Sequence, residues 1–142
     1  MPRTAEDIEN YLLQLDRRYE RSDESNGATF LIHSVGATIA LLVSAPIAAL
    51  RVIIGLVPAE EQRRLPLFRQ LLEYNASDLM HVSYGLDGEQ VVLSGALELE
   101  NLDMNELEAA LSDIDLALAR HVPTLHVLAG RDDRRSHRPP AA

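Results

Sequence analysis

The side chains of this sequence that could do acid–base chemistry or bind a metal are five histidines and a few closely spaced acidic pairs. The chain has no cysteine, which excludes disulfides, thiolate zinc sites, iron–sulfur clusters and cysteine nucleophiles. It also has no glycine-rich phosphate loop, no G-x-S-x-G motif and no H-E-x-x-H motif. We therefore expect the protein to use no cofactor and no metal.

The spacing of the histidines gives little support for a metal site. His121 and His126 are five residues apart across Pro123, whereas two ligands on one helical face are three or four residues apart. His33 and His81 fall in predicted strands and could meet across a sheet. Because His81 alternates away from the apolar face of its strand, two ordinary strand histidines are the simpler interpretation.

Acidic pairs occur at Glu60–Glu61, Glu98–Glu100 and Asp113–Asp115. General acid–base catalysis needs two carboxylates that face one pocket with separated pKa values. Glu98 and Glu100 are predicted to share a strand face, but acidic side chains are common on solvated surfaces. We therefore predict that the protein is not an enzyme, and we keep a hydrolase with acidic catalytic residues as a third hypothesis.

The net charge of the chain is −9, from 22 acidic residues and 13 basic residues that are all arginine. A surface of that sign repels a phosphate backbone at long range. Aromatic residues make up only 4% of the chain and include no Trp, so platforms that stack single-stranded bases are also poor. The sequence therefore predicts that the protein does not bind nucleic acid directly.

One apolar segment, residues 37–57, is long enough to cross a bilayer as a helix. Pro46 divides it, Arg51 lies inside it, and each half is rich in the β-branched residues that fit a pleated sheet. We predict two buried strands around a turn and no membrane partner. The first residues lack the basic start and apolar stretch of a signal peptide, which predicts a cytoplasmic location.

Apolar periodicity predicts three helices and five strands. The helices are expected over residues 4–21, 66–74 and 103–121, with Thr4 as the first N-cap and a short turn before Pro66. The strands are expected over residues 29–35, 38–44, 48–57, 79–86 and 90–100, with a polar loop over 22–27 and a hairpin turn at Asp87-Gly88.

This order of elements, α-β-β-β-α-β-β-α, predicts an α+β fold in which helices pack against one face of an antiparallel sheet. Residues 1–129 are expected to form a single domain. Residues 130–142 contain four arginines, two aspartates and no apolar periodicity, which predicts a disordered Arg-rich tail.

Two apolar surfaces exceed what a single core needs. The middle helix has a wide apolar face, which we interpret as a dimer interface formed by Leu67, Phe68, Leu71 and Leu72. The sheet face away from the helices is still partly apolar, which we interpret as a partner-binding surface that contains Ile53, Val57, Val92 and Ala96.

Several local motifs resemble the YbjN-like family of bacterial proteins, described as sensory transduction regulators, and the order of elements resembles the type III secretion chaperone-like fold. The likeness covers roughly residues 4–125 and departs at Pro66 and in the tail. It is carried by Leu56-Val57-Pro58, by Leu71-Leu72-Glu73-Tyr74-Asn75, by the hairpin Tyr84-Gly85-Leu86-Asp87-Gly88-Glu89-Gln90-Val91-Val92-Leu93, and by Leu97-Glu98-Leu99 with Leu107 and Leu111.

The resemblance implies a small homodimer that binds another protein, and it supplies no catalytic residue to carry over. The leading hypothesis is a non-enzymatic, chaperone-like or adaptor protein that binds a client through apolar surface. The alternative is a regulatory or sensor module that binds a small ligand.

Overall fold

The computed structural model describes residues 2–129 of the chain. In chain order these residues form α1 (Ala5–Gln14), β1 (Tyr19–Glu24), β2 (Gly27–Ser34), β3 (Ala37–Ser44), β4 (Ile47–Leu56), α2 (Glu61–Ser77), β5 (Ser83–Asp87), β6 (Gln90–Glu98), α3 (Met104–Arg120) and α4 (Val122–Leu128).

The strands make one antiparallel sheet in the order β1-β2-β3-β4-β6-β5. Short turns join β1 to β4 as a meander, as the close spacing of the strands predicts. The helices cover one face of this sheet, where alternate strand residues such as Phe30, Ile32, Leu41 and Leu50 are buried. The predicted α+β architecture is therefore confirmed, as are the two strands within residues 37–57.

Among the described residues, no helix is both long enough and apolar enough to span a bilayer.

The first helix is shorter than predicted, because a strand was missed. Thr4 and Asp7 form the predicted capping box, in which the Asp7 carboxylate accepts from the Thr4 backbone N–H at 2.8 Å. The helix ends at Gln14, and Tyr19–Glu24 forms β1 instead of a final turn and a loop. Tyr19–Glu24 is a strand because it pairs with β2, which also places the Tyr19 ring edge-on to the ring of Phe30 at 5.8 Å between centroids.

The middle helix runs continuously through Pro66, whereas a short turn before Pro66 was expected. A proline at this position forgoes one hydrogen bond, to the carbonyl of Gln62 in the first turn, where few bonds are yet established. Burial of Leu67 and Leu71 in the core holds the helix in place beyond it. The prediction of a helix restricted to residues 66–74 is therefore wrong.

The hairpin and the C-terminal helix follow the predictions more closely. Asp87 pairs with Gln90, so the two-residue turn is Gly88-Glu89, with Gly88 at φ 59°. The first arm begins only at Ser83, because residues 80–82 form a loop whose three backbone N–H groups donate to one carboxylate oxygen of Asp113.

The last predicted helix is α3, with Asp103 as its N-cap. It is followed by the unpredicted short helix α4, in which Pro123 occupies the first turn. The predicted disordered tail, residues 130–142, lies outside the described residues.

Candidate functional site

The sheet has a second face, here called the open face, that no helix covers. Its side chains lie at alternate positions of the strands, and strand pairing sets them in rows. One row runs Leu31, Ala40, Arg51 and Ser94, and the next runs Thr29, Leu42, Ala49 and Ala96. The larger apolar side chains exposed on this face are Leu31, Leu42, Ile47, Ile53 and, at the end of β4, Leu56.

Three of the four residues predicted to bind a partner lie together on the open face. Ile53 pairs with Val92, and Ala96 pairs with Ala49 one row beyond Arg51. Ile53 is 57% exposed, whereas Val92 is only 6% exposed. The open face therefore exists, but its two central apolar residues differ strongly in accessibility.

Val57 does not belong to the open face. A β-bulge between Ile53 and Gly55 inserts one residue into β4 and reverses the alternation beyond it. Leu56 consequently takes the exposed position, and Val57 packs against the core while its backbone N–H donates to Glu89. Alternation alone also failed to single out Leu31, Leu42 and Ile47, which lie on the same face.

The four residues predicted as a dimer interface are divided between core and surface. Leu67 and Leu71 are buried in the protomer, and Phe68 is partly buried against the core. Leu72 is 68% exposed. Leu65, which was not among the predicted interface residues, is 74% exposed. The exposed apolar stripe of α2 thus consists of Leu65 and Leu72, seven residues apart on one side of the helix, with Phe68 between them.

The two edges of the sheet differ in how their backbone groups are satisfied. At the β5 edge, Asn75 of α2 binds both backbone groups of Tyr84, and Asp113 accepts from the backbone N–H of Val82. At the β1 edge, the pairing of His33 with Arg18 places the backbone groups of Tyr19, Arg21 and Asp23 on the outer side. Within residues 2–129 these outer groups have no hydrogen-bond partner, so β1 is the open edge.

A polar cluster that the sequence did not reveal lies where α2 and α3 end beside β5. The ring of His121, 4% exposed, stacks on Tyr74 at 3.6 Å between centroids. Its Nε2 lies 2.8 Å from an Asp78 carboxylate oxygen, and its Nδ1 lies 2.9 Å from the Tyr84 hydroxyl. The neutral tautomer that donates from Nε2 and accepts at Nδ1 satisfies every member of the cluster.

The electrostatics of this cluster favour a structural role. The hydrogen bond from His121, with a further one from Ser77, lowers the pKa of the Asp78 carboxyl, while burial raises the pKa of Tyr84. An Asp–His–hydroxyl series also occurs in nucleophilic sites, but there the hydroxyl must be reachable by substrate. The buried Tyr84 instead joins β5 to the ends of two helices.

The other histidine hypotheses have clear outcomes. His121 and His126 do not converge, because His126 Nε2 faces the backbone carbonyl of Ile54 at 3.3 Å. His33 lies 3.4 Å from Glu20 on the open face, while His81 lies in the loop before β5. Among the described residues, no three His, Asp or Glu side chains are grouped as metal ligands.

A family model named CesT_Tir_1, which describes type III secretion chaperones, matches residues 1–131. No curated protein sequence matches the chain.

Solved structures with the same fold include secretion chaperones. A chain of the heterodimeric ExoU–SpcU complex from the type III secretion system of Pseudomonas aeruginosa is 22% identical, with a TM-score of 0.61 over 84% of this chain and 98% of that chain. The type III secretion chaperone SycH of Yersinia pestis, solved with a stable fragment of YscM2, is 15% identical. Its TM-score is 0.55, over 83% of this chain and 95% of that chain. YbjN of Escherichia coli is 12% identical, with a TM-score of 0.55 over 95% of this chain and 93% of that chain. At such identities these likenesses establish the fold, and they confirm the fold resemblance noted from the sequence.

Proposed function

Because the chain belongs to the CesT_Tir_1 family of type III secretion chaperones, we propose that it is a non-enzymatic cytoplasmic protein that binds a segment of another protein on the open face of its sheet. The proposal includes a homodimer as the working form. Chaperones of this family are not enzymes, and the solved relatives described above include complexes with another protein.

The observation that carries this proposal is the exposed apolar surface of the open face. Leu31, Leu42 and Ile53 project from adjacent strands around the small side chains of Ala40 and Ala49. Contiguous apolar surface on one side of a domain marks a protein interface more often than scattered single residues do. Large side chains around small ones also leave a depression that can receive side chains of a partner.

The open edge of β1 supports the same proposal independently. A polypeptide in extended conformation can pair with the outer backbone groups of Tyr19, Arg21 and Asp23. Leu31 lies on the neighbouring strand, directly opposite Glu20 of β1. A partner segment could therefore gain backbone hydrogen bonds at this edge and apolar contact on the adjoining open face.

A pull-down from lysate of the source organism tests the proposal. The full-length protein is the bait, and Leu42→Asp is the variant that places a charge on the open face. Val127→Asp is the control, because Val127 is also apolar and is more exposed than Leu42 (74% against 42%) but lies on α4. We expect one or more proteins to be retained by the wild type and by Val127→Asp and lost by Leu42→Asp; equal retention by all three would contradict the proposed surface.

The homodimer is proposed to form through the exposed stripe of α2, Leu65 and Leu72, with Phe68. Replacing Leu65 and Leu72 together by Glu leaves the buried Leu67 and Leu71 intact, so a change in mass reports on the surface. We expect light scattering to give about twice the chain mass of 15.7 kDa for the wild type and the single-chain mass for the double variant. Gln62→Glu, exposed on the same helix, is the control, and a monomeric wild type would refute the dimer.

A second candidate function, binding of a small ligand, rests on a cavity beside the His121 cluster. The cavity has a volume of about 260 Å³ and is lined by charged, polar and apolar groups: Ser77, Asp78, Leu79, Leu116, Ala117, Arg120 and His121. A ligand that binds the folded state raises the melting temperature. A thermal-shift screen with a metabolite library on the wild type and on Arg120→Ala therefore tests this candidate.

A further inference from the structure

Arg51 is a cation in the interior of the open face, surrounded there by apolar and small side chains. It lies on β4 between Ala40 of β3 and Ser94 of β6. Its guanidinium forms an ion pair with Asp87, which is the last residue of β5 on the same face. The acidic residues of this face, such as Glu20 and Glu98, lie instead near its margins.

The Arg51–Asp87 ion pair explains why Val92 is so little exposed. Arg51 lies level with Ser94 of β6, and Asp87 lies level with Gln90 of the same strand. A side chain that reaches from one to the other must cross β6 at Val92, which lies between Ser94 and Gln90 on the same face. The ion pair therefore screens Val92, at 6% exposure, while its pairing partner Ile53 stays open at 57%.

Most hydrogen-bond donors of Arg51 remain available. A guanidinium has five N–H donors, and among residues 2–129 only Asp87 accepts from Arg51. In the free protein the other donors face water. A partner that docks on the open face removes this water, and guanidinium N–H donors that are enclosed without acceptors cost free energy even though Asp87 balances the charge.

We infer that the partner segment recognised by the open face carries an Asp or Glu side chain, flanked on both sides by apolar residues, that binds Arg51. This inference rests on the proposed function and specifies the chemistry of the partner. The carboxylate pairs with the free side of the guanidinium, since Arg presents a fork that accepts carboxylates in bidentate geometry. Ile53, two residues along β4, and Leu42, diagonally across on β3, lie on opposite sides of Arg51 and contact the flanking apolar side chains.

The exposure of the existing ion pair makes this exchange feasible. Arg51 and Asp87 are both substantially exposed, and pairs of this kind contribute little to stability. A partner carboxylate can therefore share or displace Asp87 at small cost. Displacement would also uncover Val92 and extend the apolar contact beyond Ile53.

Selection of random peptides on the full-length protein tests the inference without knowledge of the natural partner. A phage-displayed library of linear peptides, about a dozen residues long to match a partner strand or short helix, is selected on the immobilised 142-residue chain. We expect the enriched peptides to contain Asp or Glu between Leu, Ile, Val or Phe residues. Enriched peptides that bind the open face but contain no acidic residue would overturn the inference.

Variants of both sides then locate the contact. Arg51→Gln should weaken binding of an enriched synthetic peptide by about tenfold or more, as for a charge pair in an interface. Replacing the peptide's acid by its amide should weaken binding to the wild type equally but have little further effect on Arg51→Gln. Arg69→Gln, an exposed arginine on α2, is the matched control and should leave affinity unchanged. Additive losses in the double variant would overturn the inference.

The same experiments separate failure of the inference from failure of the proposed function. If no peptide is enriched, or if Leu42→Asp does not impair any enriched peptide, the open face is not a peptide-binding surface and the proposed function fails. If the wild type forms dimers that Arg51→Gln abolishes, the occupant is a second copy of the chain, and the inference of an acidic partner segment is overturned.

Discussion

The side chain of Asn75 pairs with both backbone polar groups of Tyr84. Its amide N–H donates to the Tyr84 carbonyl at 3.1 Å, and the Tyr84 backbone N–H donates to its amide oxygen at 2.7 Å. Asn75 thereby occupies the place that a neighbouring strand would take beside β5. The α2 helix closes this edge of the sheet, and the edge at β1 stays open.

Replacing Asn75 by Ala should destabilise the protein and expose the β5 edge. Two hydrogen bonds in a partly buried position are lost, and leaving the Tyr84 backbone groups unpaired costs about 1–3 kcal/mol. Urea unfolding measures this loss, and light scattering measures any added self-association through the freed edge. Gln70→Ala on the same helix is the control and should change stability by less than about 0.5 kcal/mol. Equal stability of the two variants would show that the edge needs no cover.

Replacing Asp78 by Asn should change how stability depends on pH. The hydrogen bond from His121 lowers the pKa of Asp78 below its usual value of 3.8. A carboxyl whose pKa is lowered by folding stabilises the folded state above its unfolded pKa, and this contribution is lost as pH falls through the folded value. We expect the wild type to be more stable than Asp78→Asn at about pH 5, with the difference shrinking as the pH falls below about 4.

Urea unfolding across this pH range is the measurement, with Glu108→Gln on the exposed side of α3 as the control. The control should follow the wild type at every pH. A stability difference for Asp78→Asn that persists unchanged to pH 3 would contradict the role of the charged carboxylate.

Sequence patterns predicted the parts of the fold that rest on local periodicity. Leu107, Leu111, Ile114 and Leu118 recur at alternating steps of four and three residues in the sequence and are buried on one side of α3, and alternate residues of β3 and β4 are buried in the same way. The strand β1 was missed because YERSDE is polar and has little apolar alternation, while Tyr19 continued the helical spacing of the preceding segment.

The candidate site could be predicted only in part, because its decisive features depend on contacts between distant residues. The bulge after Ile53 reversed the alternation that had placed Val57 on the open face. The shielding of Val92 follows from an ion pair between two strands separated by α2. His121 meets Tyr84 and Asp78 across 37 and 43 residues of sequence, a separation at which no local spacing signals contact.

Gly95→Ala should be strongly destabilising, because β6 passes close to the loop before β5. A Cβ at Gly95 would lie 2.6 Å from the backbone carbonyl oxygen of His81 and 3.0 Å from a side-chain carbon of Val82. Backbone cannot yield without moving the loop that Asp113 holds, so we expect a loss of about 1–3 kcal/mol. Gly85→Ala on the neighbouring strand is the matched control, since nothing lies within 4 Å of its added carbon. Similar unfolding midpoints for both variants would refute the close approach.

Removing residues 130–142 should leave the fold intact. Within residues 2–129, the last strongly buried core side chain is Leu125, which lies before the deleted segment. The segment contains no large apolar residue, so its removal takes little buried area from the core. We expect the melting temperature to change by no more than a few degrees, and a loss above about 2 kcal/mol in urea would mean that the segment contributes to the folded structure.

The isolated protein should not bind nucleic acid. The chain carries −9, and residues 130–142 contribute four arginines and two aspartates, so the remainder carries −11. Several arginines of the folded part are already engaged by carboxylates, as in the Arg17–Asp115 pair and in Arg21 with Glu6, Glu9 and Asp23. A phosphate backbone therefore meets like charge, screened only beyond about 10 Å at 0.1 M salt. The four arginines and two aspartates of residues 130–142 amount to two net positive charges, which can release few counterions and support at most weak, salt-sensitive binding.

Titration of labelled single- and double-stranded DNA at near-physiological salt is the measurement, and submicromolar affinity of the protein alone would contradict the prediction. Binding that appears only after a second protein is added would agree with it, because that partner could then hold the nucleic acid.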